Sequence, residues 1–155
     1  MDKDRVKSMI GSLLESLGSF LEMEFKVSFD DSDESVLKAD IETGSANLLI
    51  GYRGENLSAL QHFINVAVYK QFKDEARVMV DIADYRGQRN QKLADLAESA
   101  ASKAKEIGKQ IALYPMNSFE RRIVHEKISK IEGVSSHSEG EGLNRKIIIS
   151  LGSKE

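Results

Sequence analysis

Cysteine is absent from this sequence, proline occurs once, and only three histidines are scattered along the 155 residues. Without cysteine there are no disulfides, no thiolate nucleophile and no cysteine-based zinc site, which fits a reducing compartment. Three separated histidines do not make a metal site on their own. Apolar runs fall short of the ~18 residues needed to cross a bilayer. Met1-Asp-Lys-Asp-Arg5 is not the start of a secretory signal, so a cytoplasmic protein without membrane insertion is expected. A Walker Gly-Lys-Ser/Thr, a Gly-x-Ser-x-Gly elbow and a convincing Ser-His-Asp set are all missing. No catalytic residue, no metal, no cofactor and no enzymatic activity are therefore expected.

What remains is ordinary in bulk and uneven in distribution. Hydrophobic residues at 41% and charged residues at 30% describe a soluble globular chain, long enough for one medium domain or two small ones. The net charge of −3 argues mildly against a generic polyanion binder. It conceals an asymmetry: residues 1–83 carry 9 Lys and Arg against 15 Asp and Glu, a balance of −6, and residues 84–155 carry 13 against 10, a balance of +3. If nucleic acid is bound, the second half supplies more of the long-range attraction.

Asp2 or Asp4 can cap a first helix, in which Val6, Ile10, Leu13, Leu14, Leu17 and Leu21 fall at three- and four-residue spacings. Phe25, Val27 and Phe29 then alternate with polar residues, and Leu37, Ala39 and Ile41 repeat the pattern, so two half-buried strands are expected. Between them, Asp30-Asp-Ser-Asp-Glu-Ser35 lacks the spaced ligands and the central glycine of a calcium loop and reads as a solvated hairpin turn. A short helix from about Ala46 leads into Gly51-Tyr-Arg-Gly54. A second helix follows, with Leu57, Leu60, Phe63, Ile64, Ala67 and Val68 on one face, and Val78, Val80 and Ile82 mark a third strand.

The glycine turn is a backbone device. Two glycines three apart let the main chain approach a ligand closely, and the helix after them presents its N–H groups and positive dipole end to the same spot, which suits a phosphate. Tyr52 and Arg53 sit at the tip, and Asn56 lies in the first turn of the following helix. Taken alone, the same pattern also describes an ordinary packing corner between two helices.

Past Asp84-Tyr-Arg-Gly87, read as a boundary, a long helix is predicted from about Gln88 on the stripe Leu93, Leu96, Ala97, Ala100, Ala104, Ile107 and Ile111. Pro115 stops it or sits just beyond it. Asn117 and Glu120 form a variant capping box for a helix from Ser118 to about Ile131, and Val134 onward and Lys146 to Leu151 make a strand pair. On the helix after Asn117, Arg121 and His125 are four apart and share a face, with Arg122 about a quarter turn away and Phe119 and Ile123 directed to the core. Arg grips phosphate in a bidentate fashion, and His donates to phosphate or stacks on a base. Arg145 and Lys146, after the glycine loop 139–142, are expected to border the same surface. His125 as a general base for phosphodiester cleavage lacks a second acid/base or a metal.

Helix, strand, strand, helix, Gly-x-x-Gly, helix, strand is the order of a type II KH domain, which residues 1–83 resemble. Tyr114-Pro-Met-Asn-Ser-Phe-Glu-Arg121-Arg-Ile-Val-His125, with Arg145 downstream, resembles the signature of the R-three-H domain, here residues 84–155. The two signatures in this order resemble the bacterial Jag family, also called KH-domain protein B or stage III sporulation insertase-associated protein. That resemblance implies an α+β fold, with helices on a three-stranded sheet followed by a small α/β domain. It also implies binding of single-stranded RNA, with single-stranded DNA as the alternative. The sites would be Gly51, Tyr52, Arg53, Gly54 and Asn56 in the first domain and Arg121, Arg122, His125, Arg145 and Lys146 in the second. The role implied is an RNA chaperone or post-transcriptional regulator linked to cell elongation, division or envelope growth, with a second KH-domain protein or an insertase-associated protein as further partners. Two departures bear on this. Many members carry a further small N-terminal domain, so roles resting on it are not expected of these residues. Tyr52 stands where many such turns have a basic residue, which predicts a weaker phosphate grip offset by stacking. The competing reading is a protein-interaction adaptor whose acidic first half docks onto a partner and whose KH fold no longer binds RNA.

Overall fold

The computed structural model describes residues 2–73 and 77–152, and the chain divides into two compact units, 1–86 and 87–155. The mixed α+β class read from the sequence holds in both.

In the first unit, α1 (Lys3–Leu21) begins where the Asp2 carboxylate accepts the Arg5 N–H at 3.2 Å, filling one of the orphan donors of a helix start. It buries Val6, Ile10 and Leu14, as their spacing requires, whereas Leu21 and its neighbour Phe20 are exposed. The strands β1 (Lys26–Asp30) and β2 (Val36–Glu42) form an antiparallel hairpin, with Val27 opposite Ile41 and Phe29 opposite Ala39. The strand β3 (Arg77–Ile82) then pairs parallel to β2, giving the sheet order β1-β2-β3. Two helices intervene between β2 and β3: α2 (Ala46–Ile50) and α3 (Glu55–Phe72). Leu37, Ala39, Ile41, Val78, Val80 and Ile82 line one face of the sheet and join Val6, Ile10, Leu14, Leu57, Ile64 and Val68 in a single core. Phe63, expected on the buried face of α3, is exposed. The buried line of α3 is narrow, and Phe63 lies about 100° before Ile64 around the axis.

The acidic hairpin turn is less free than the sequence suggested. Asp30 and Asp33 accept the backbone N–H groups of Ser32 and Ser35 at 3.0 and 2.8 Å. From α1, Lys7 pairs with the Asp31 carboxylate and Lys3 donates to the carbonyls of Asp31 and Asp33.

The helix α4 (Tyr85–Ile107), which leads into the second unit, starts three residues earlier than predicted, because Ala83 and Asp84 both take left-handed φ angles of 51° and 52° and turn the chain at once. It also ends sooner. Gly108 adopts φ +67° and donates its N–H to the Ala104 carbonyl at 3.0 Å, a glycine stop well ahead of Pro115. Ile107 is therefore exposed, and Ile111 belongs to a short strand, β4 (Ile111–Ala112), rather than to the helix. The helix α5 (Ser118–Ile128) and the strands β5 (Val134–Glu139) and β6 (Lys146–Leu151) complete the unit. Its sheet is antiparallel in the order β4-β6-β5. Leu93, Ala97, Ala101 and Ala104 of α4 pack with Val124 and Ile128 of α5 and with Ile147 and Ile149 of β6. Small residues on α4 permit a close approach of the backbones. Leu151, at the end of β6, is exposed.

The buried ion pair of this unit is Glu120 with Arg89, at 2.7 Å from Oε1 to the guanidinium and with Glu120 side-chain exposure of only 5%. The other oxygen of Glu120 accepts the Asn117 N–H at 3.3 Å, and Asn117 in return accepts the Glu120 N–H at 2.9 Å, closing the capping box. Removing one member of a buried pair strands the other charge, which costs about 3–5 kcal/mol. Glu120→Ala is accordingly expected to lower the urea-unfolding free energy of the second unit by about 3 kcal/mol, and exposed Glu126→Ala by no more than about 0.5 kcal/mol. Equal effects would remove the pair from its place in the fold.

Candidate nucleic-acid interface

The Gly-x-x-Gly turn lies where the sequence put it, between α2 and α3, as a single 3₁₀ turn, Tyr52–Gly54. Gly51 has φ +71° and ψ −175°, and Gly54 has φ +81° and ψ 16°. Both conformations are open chiefly to glycine. Space forbids a side chain as well. A Cβ on Gly51 would come within 2.5 Å of the Asn56 side chain, and one on Gly54 within 2.7 Å of the Tyr85 ring. Arg53 is also left-handed, at φ 51°, an unusual state for a residue with a Cβ. Its guanidinium lies over the Tyr52 ring at 4.8 Å, a cation–π contact. Tyr52 is 67% exposed and Arg53 partly so, and the turn presents an aromatic ring with a cation packed on it beside a backbone stripped of side-chain bulk.

Asn56, also exposed, is tied down. Its amide donates to the Leu48 carbonyl at 2.8 Å, tying the start of α3 back to α2, so Asn56 holds the shape of the turn.

A second device here was invisible from the sequence. The outer edge of β3 is covered by polar side chains. Gln61 accepts the Val80 N–H at 2.8 Å and donates to the Val78 carbonyl, Asn65 accepts the Val78 N–H at 3.3 Å, and Arg86 donates to the Val80 carbonyl at 3.0 Å. An edge strand with unpaired groups is a template for unwanted pairing, and here α3 and Arg86 saturate it.

In the second unit the three residues on α5 separate into different environments. Arg122 is exposed; Arg121 and His125 are partly buried. Arg121 donates to the Met116 carbonyl at 2.8 Å. The His125 ring is held at both nitrogens, Nδ1 to the Ser136 hydroxyl at 2.8 Å and Nε2 to the Ser138 hydroxyl at 3.1 Å. Burial lowers the His125 pKa from its ordinary value, and the nearby charges of Arg121 and His137 push in the same direction. The imidazole is therefore neutral at pH 7, one nitrogen donating and the other accepting. The outward, freely donating sector expected from spacing thus becomes a histidine clamped to two serines of β5, with the guanidinium of Arg121 alongside. Ser136 and Ser138 alternate on one face of that strand, a period-two pair that sequence reasoning passed over.

Phe119 departs further from expectation. It is 58% exposed, because the buried arc of α5 runs through Glu120, Val124 and Ile128, and Phe119 precedes that arc by about 100°. The acidic Glu120 occupies the core position. Arg145 is exposed, and its carbonyl accepts the Met116 N–H at 3.1 Å, which ties the end of the β5–β6 hairpin to the segment just before α5. Lys146 stands opposite Glu139, while Ser138 stands opposite Ile147. Side chains alternate along a strand, so Lys146 belongs to the sheet face away from His125 and does not join it. Among the described residues no group of three His, Asp or Glu side chains is placed to hold a metal ion, and no helix is long and apolar enough to cross a membrane.

The R-three-H domain family model matches residues 91–151. Over 150 residues, 96% of this chain, the sequence is 31% identical to the RNA-binding protein KhpB of Clostridium symbiosum and covers 68% of that protein. The chain belongs to the KhpB family. Proteins of the same printed name from Streptococcus pneumoniae serotype 2, at 28% identity over 148 residues, and from Bacillus subtilis, at 37% over 107 residues, are also similar. The chain spans 45% and 51% of the length of these two relatives. The resemblance drawn from the two linked signatures therefore holds.

Two expectations follow from this geometry. Gly51→Ala and Gly54→Ala should each destabilise the first unit by about 2 kcal/mol or more, from left-handed backbone and overpacking. Gly44→Ala, with nothing within 4 Å of its added Cβ, should change it by less than about 0.5 kcal/mol; urea-unfolding midpoints decide between them. For His125, a folded pKa below the unfolded value of about 6.5 means that between the two values the unfolded chain binds more protons, so stability rises with pH. The contribution is complete above about pH 6.5 and is lost as the pH falls toward the folded pKa. His125→Gln should flatten the dependence of unfolding free energy on pH in that window; an unchanged slope would contradict the assignment.

Proposed function

We propose that this member of the KhpB family is a non-catalytic, cytoplasmic regulator that binds single-stranded RNA through both units. The type II KH domain is residues 1–83 and the R-three-H domain residues 84–155, a boundary three residues before the division between the two compact units. The observation that carries the reading is the Gly51–Gly54 turn. It is set between two helices with both glycines at positive φ, with Tyr52 exposed at its tip and Arg53 stacked on that ring. A strand of unpaired nucleotides can lie against such a turn, its phosphates meeting the bare backbone and Arg53 and a base stacking on Tyr52. The name of the relatives, RNA-binding protein KhpB, supports RNA as the ligand, with single-stranded DNA as the weaker competitor.

Arg121, Arg122 and Arg145 supply cations in the second unit, whose balance of +3 favours attraction of a polyanion. His125 acts there through Ser136 and Ser138, whose hydroxyls it orients. A regulatory role in elongation, division or envelope growth, and partnership with a second KH-domain protein or an insertase-associated protein, follow from the family resemblance.

The adaptor reading also has an observation in its favour. Phe63, Val66 and Tyr69 are all exposed on α3, and an exposed apolar stripe suits a protein partner. Fluorescence anisotropy with a short single-stranded RNA separates the two. Changing Tyr52 and Arg53 together to Asp should weaken binding about tenfold or more, from lost stacking and added like charge, and binding by the unaltered protein should fall with salt. Unchanged affinity in the double variant overturns the role of the turn. Protein partners that persist after nuclease treatment, with no RNA bound, favour the adaptor.

A further inference from the structure

Phe119 has no structural reason to be aromatic. It lies in the first turn of α5 with 58% of its surface in water and takes no part in the core of its unit. Phenylalanine is a mediocre helix former, and the start of this helix is already secured by Asn117 and Glu120. A single exposed apolar ring is ordinary on a protein surface; what sets this one apart is the company it keeps.

Arg122, one turn further on, is exposed on the same side of α5, since residues three apart are neighbours on a helix surface. The bond from the Met116 N–H to the Arg145 carbonyl brings the β5–β6 hairpin to this end of the unit, so exposed Arg145 is near at hand. Leu143, 96% exposed in the 3₁₀ turn Gly142–Asn144, lies two residues before it. The carboxylate next to Phe119 in sequence, Glu120, is buried and neutralised by Arg89, so it does not oppose an anion. An exposed aromatic ring with exposed arginines on its own helix and on the neighbouring hairpin is a combination that can receive an unpaired base with its phosphates, because every base has a π face. Glu126, exposed one turn beyond Arg122, disfavours a path along the helix and directs the strand toward Arg145.

We propose that Phe119 is the base-stacking platform of the second unit, taking one unpaired base of single-stranded RNA on its ring while Arg122 and Arg145 meet the flanking phosphates. The proposal rests on the RNA-binding reading above and assigns it a contact outside the Arg121/His125 pair.

The chain contains no tryptophan, so Phe119→Trp installs a single fluorescent reporter at the proposed contact. With a short fluorescein-labelled single-stranded RNA, Phe119→Trp should bind within about twofold of the unaltered protein, and with the unlabelled RNA its indole emission should be quenched to saturation. Phe119→Ala and Phe119→Leu should bind about tenfold more weakly, with circular dichroism and melting temperature unchanged because the side chain is outside the core. The leucine variant keeps apolar bulk and lacks a π face. If it binds like the unaltered protein, stacking is refuted. Indole emission that does not change while anisotropy reports saturation also overturns the proposal and leaves RNA binding intact. If the unaltered protein binds no RNA, both readings fall together. Loss of a protein partner in Phe119→Ala at undiminished RNA affinity would reassign the ring to a protein contact.

Discussion

The second unit depends on one carboxylate. Glu120 accepts from the Asn117 backbone with one oxygen and from Arg89 with the other, and Arg89 also reaches the Tyr114 hydroxyl at 3.4 Å. An ion pair this deep is weak evidence for net stability, since desolvation offsets most of its attraction. What it supplies is orientation. With Glu120 turned into the core and held from two directions, the rotation of α5 about its axis is set, and with it the direction of every other side chain on the helix. Arg121 and His125 then flank the buried arc on the side of β5, and Phe119 and Arg122 are left in solvent. Had an apolar residue occupied position 120, a rotation by one residue would have been far cheaper.

The first unit solves a similar problem by exclusion instead of attraction. The Gly51–Gly54 turn is fixed by what cannot fit. Asn56 fills the space beside Gly51, and the Tyr85 ring fills the space beside Gly54. Both glycines are thus held at positive φ by packing on both flanks, and Tyr52 is left exposed at the tip with Arg53 against its ring. Each unit ends with an exposed aromatic next to an arginine, Tyr52 with Arg53 and Phe119 with Arg122, reached by unrelated means.

Much of this was legible because it is local. The alternation of Val27, Phe29, Leu37, Ala39 and Ile41, the capping pair Asn117 and Glu120, and the placement of two glycines between helices all depend on residues within a few positions of one another. What escaped depends on register or rotation. Phe119 reads as core by hydrophobicity, and only the partnership of Glu120 with Arg89, 31 residues away, shows that an acid has displaced it. Ile111 continues the helical stripe of α4 by spacing, yet Gly108 ends the helix and β6 claims Ile111 as a strand partner of Ile149. Lys146 follows Arg145 in sequence, but strand alternation sends it to the other face. Ser136 and Ser138 acquire meaning only when β5 is laid beside His125.

The acidic character of the first unit takes on a different aspect once its charges are located. The run Asp30 to Glu34 contributes most to the excess, and it is engaged at home. Two of its carboxylates accept backbone N–H groups of the turn, Asp31 meets Lys7, and Asp30 lies 3.6 Å from Lys38 across the hairpin. Lys7 and the turn hydrogen bonds hold the carboxyl groups of Asp30, Asp31 and Asp33 below their ordinary pKa values, so these groups stay ionised while their fields are partly cancelled at short range. Repulsion of a polyanion falls off within about 10 Å at ordinary ionic strength. Net charge over residues 1–83 therefore overstates what a strand would feel at Gly51 to Gly54, where the nearest charges in sequence are the guanidinium of Arg53 and the single carboxylate of Glu55. The competition between an acidic domain and an anionic ligand is decided by these local charges.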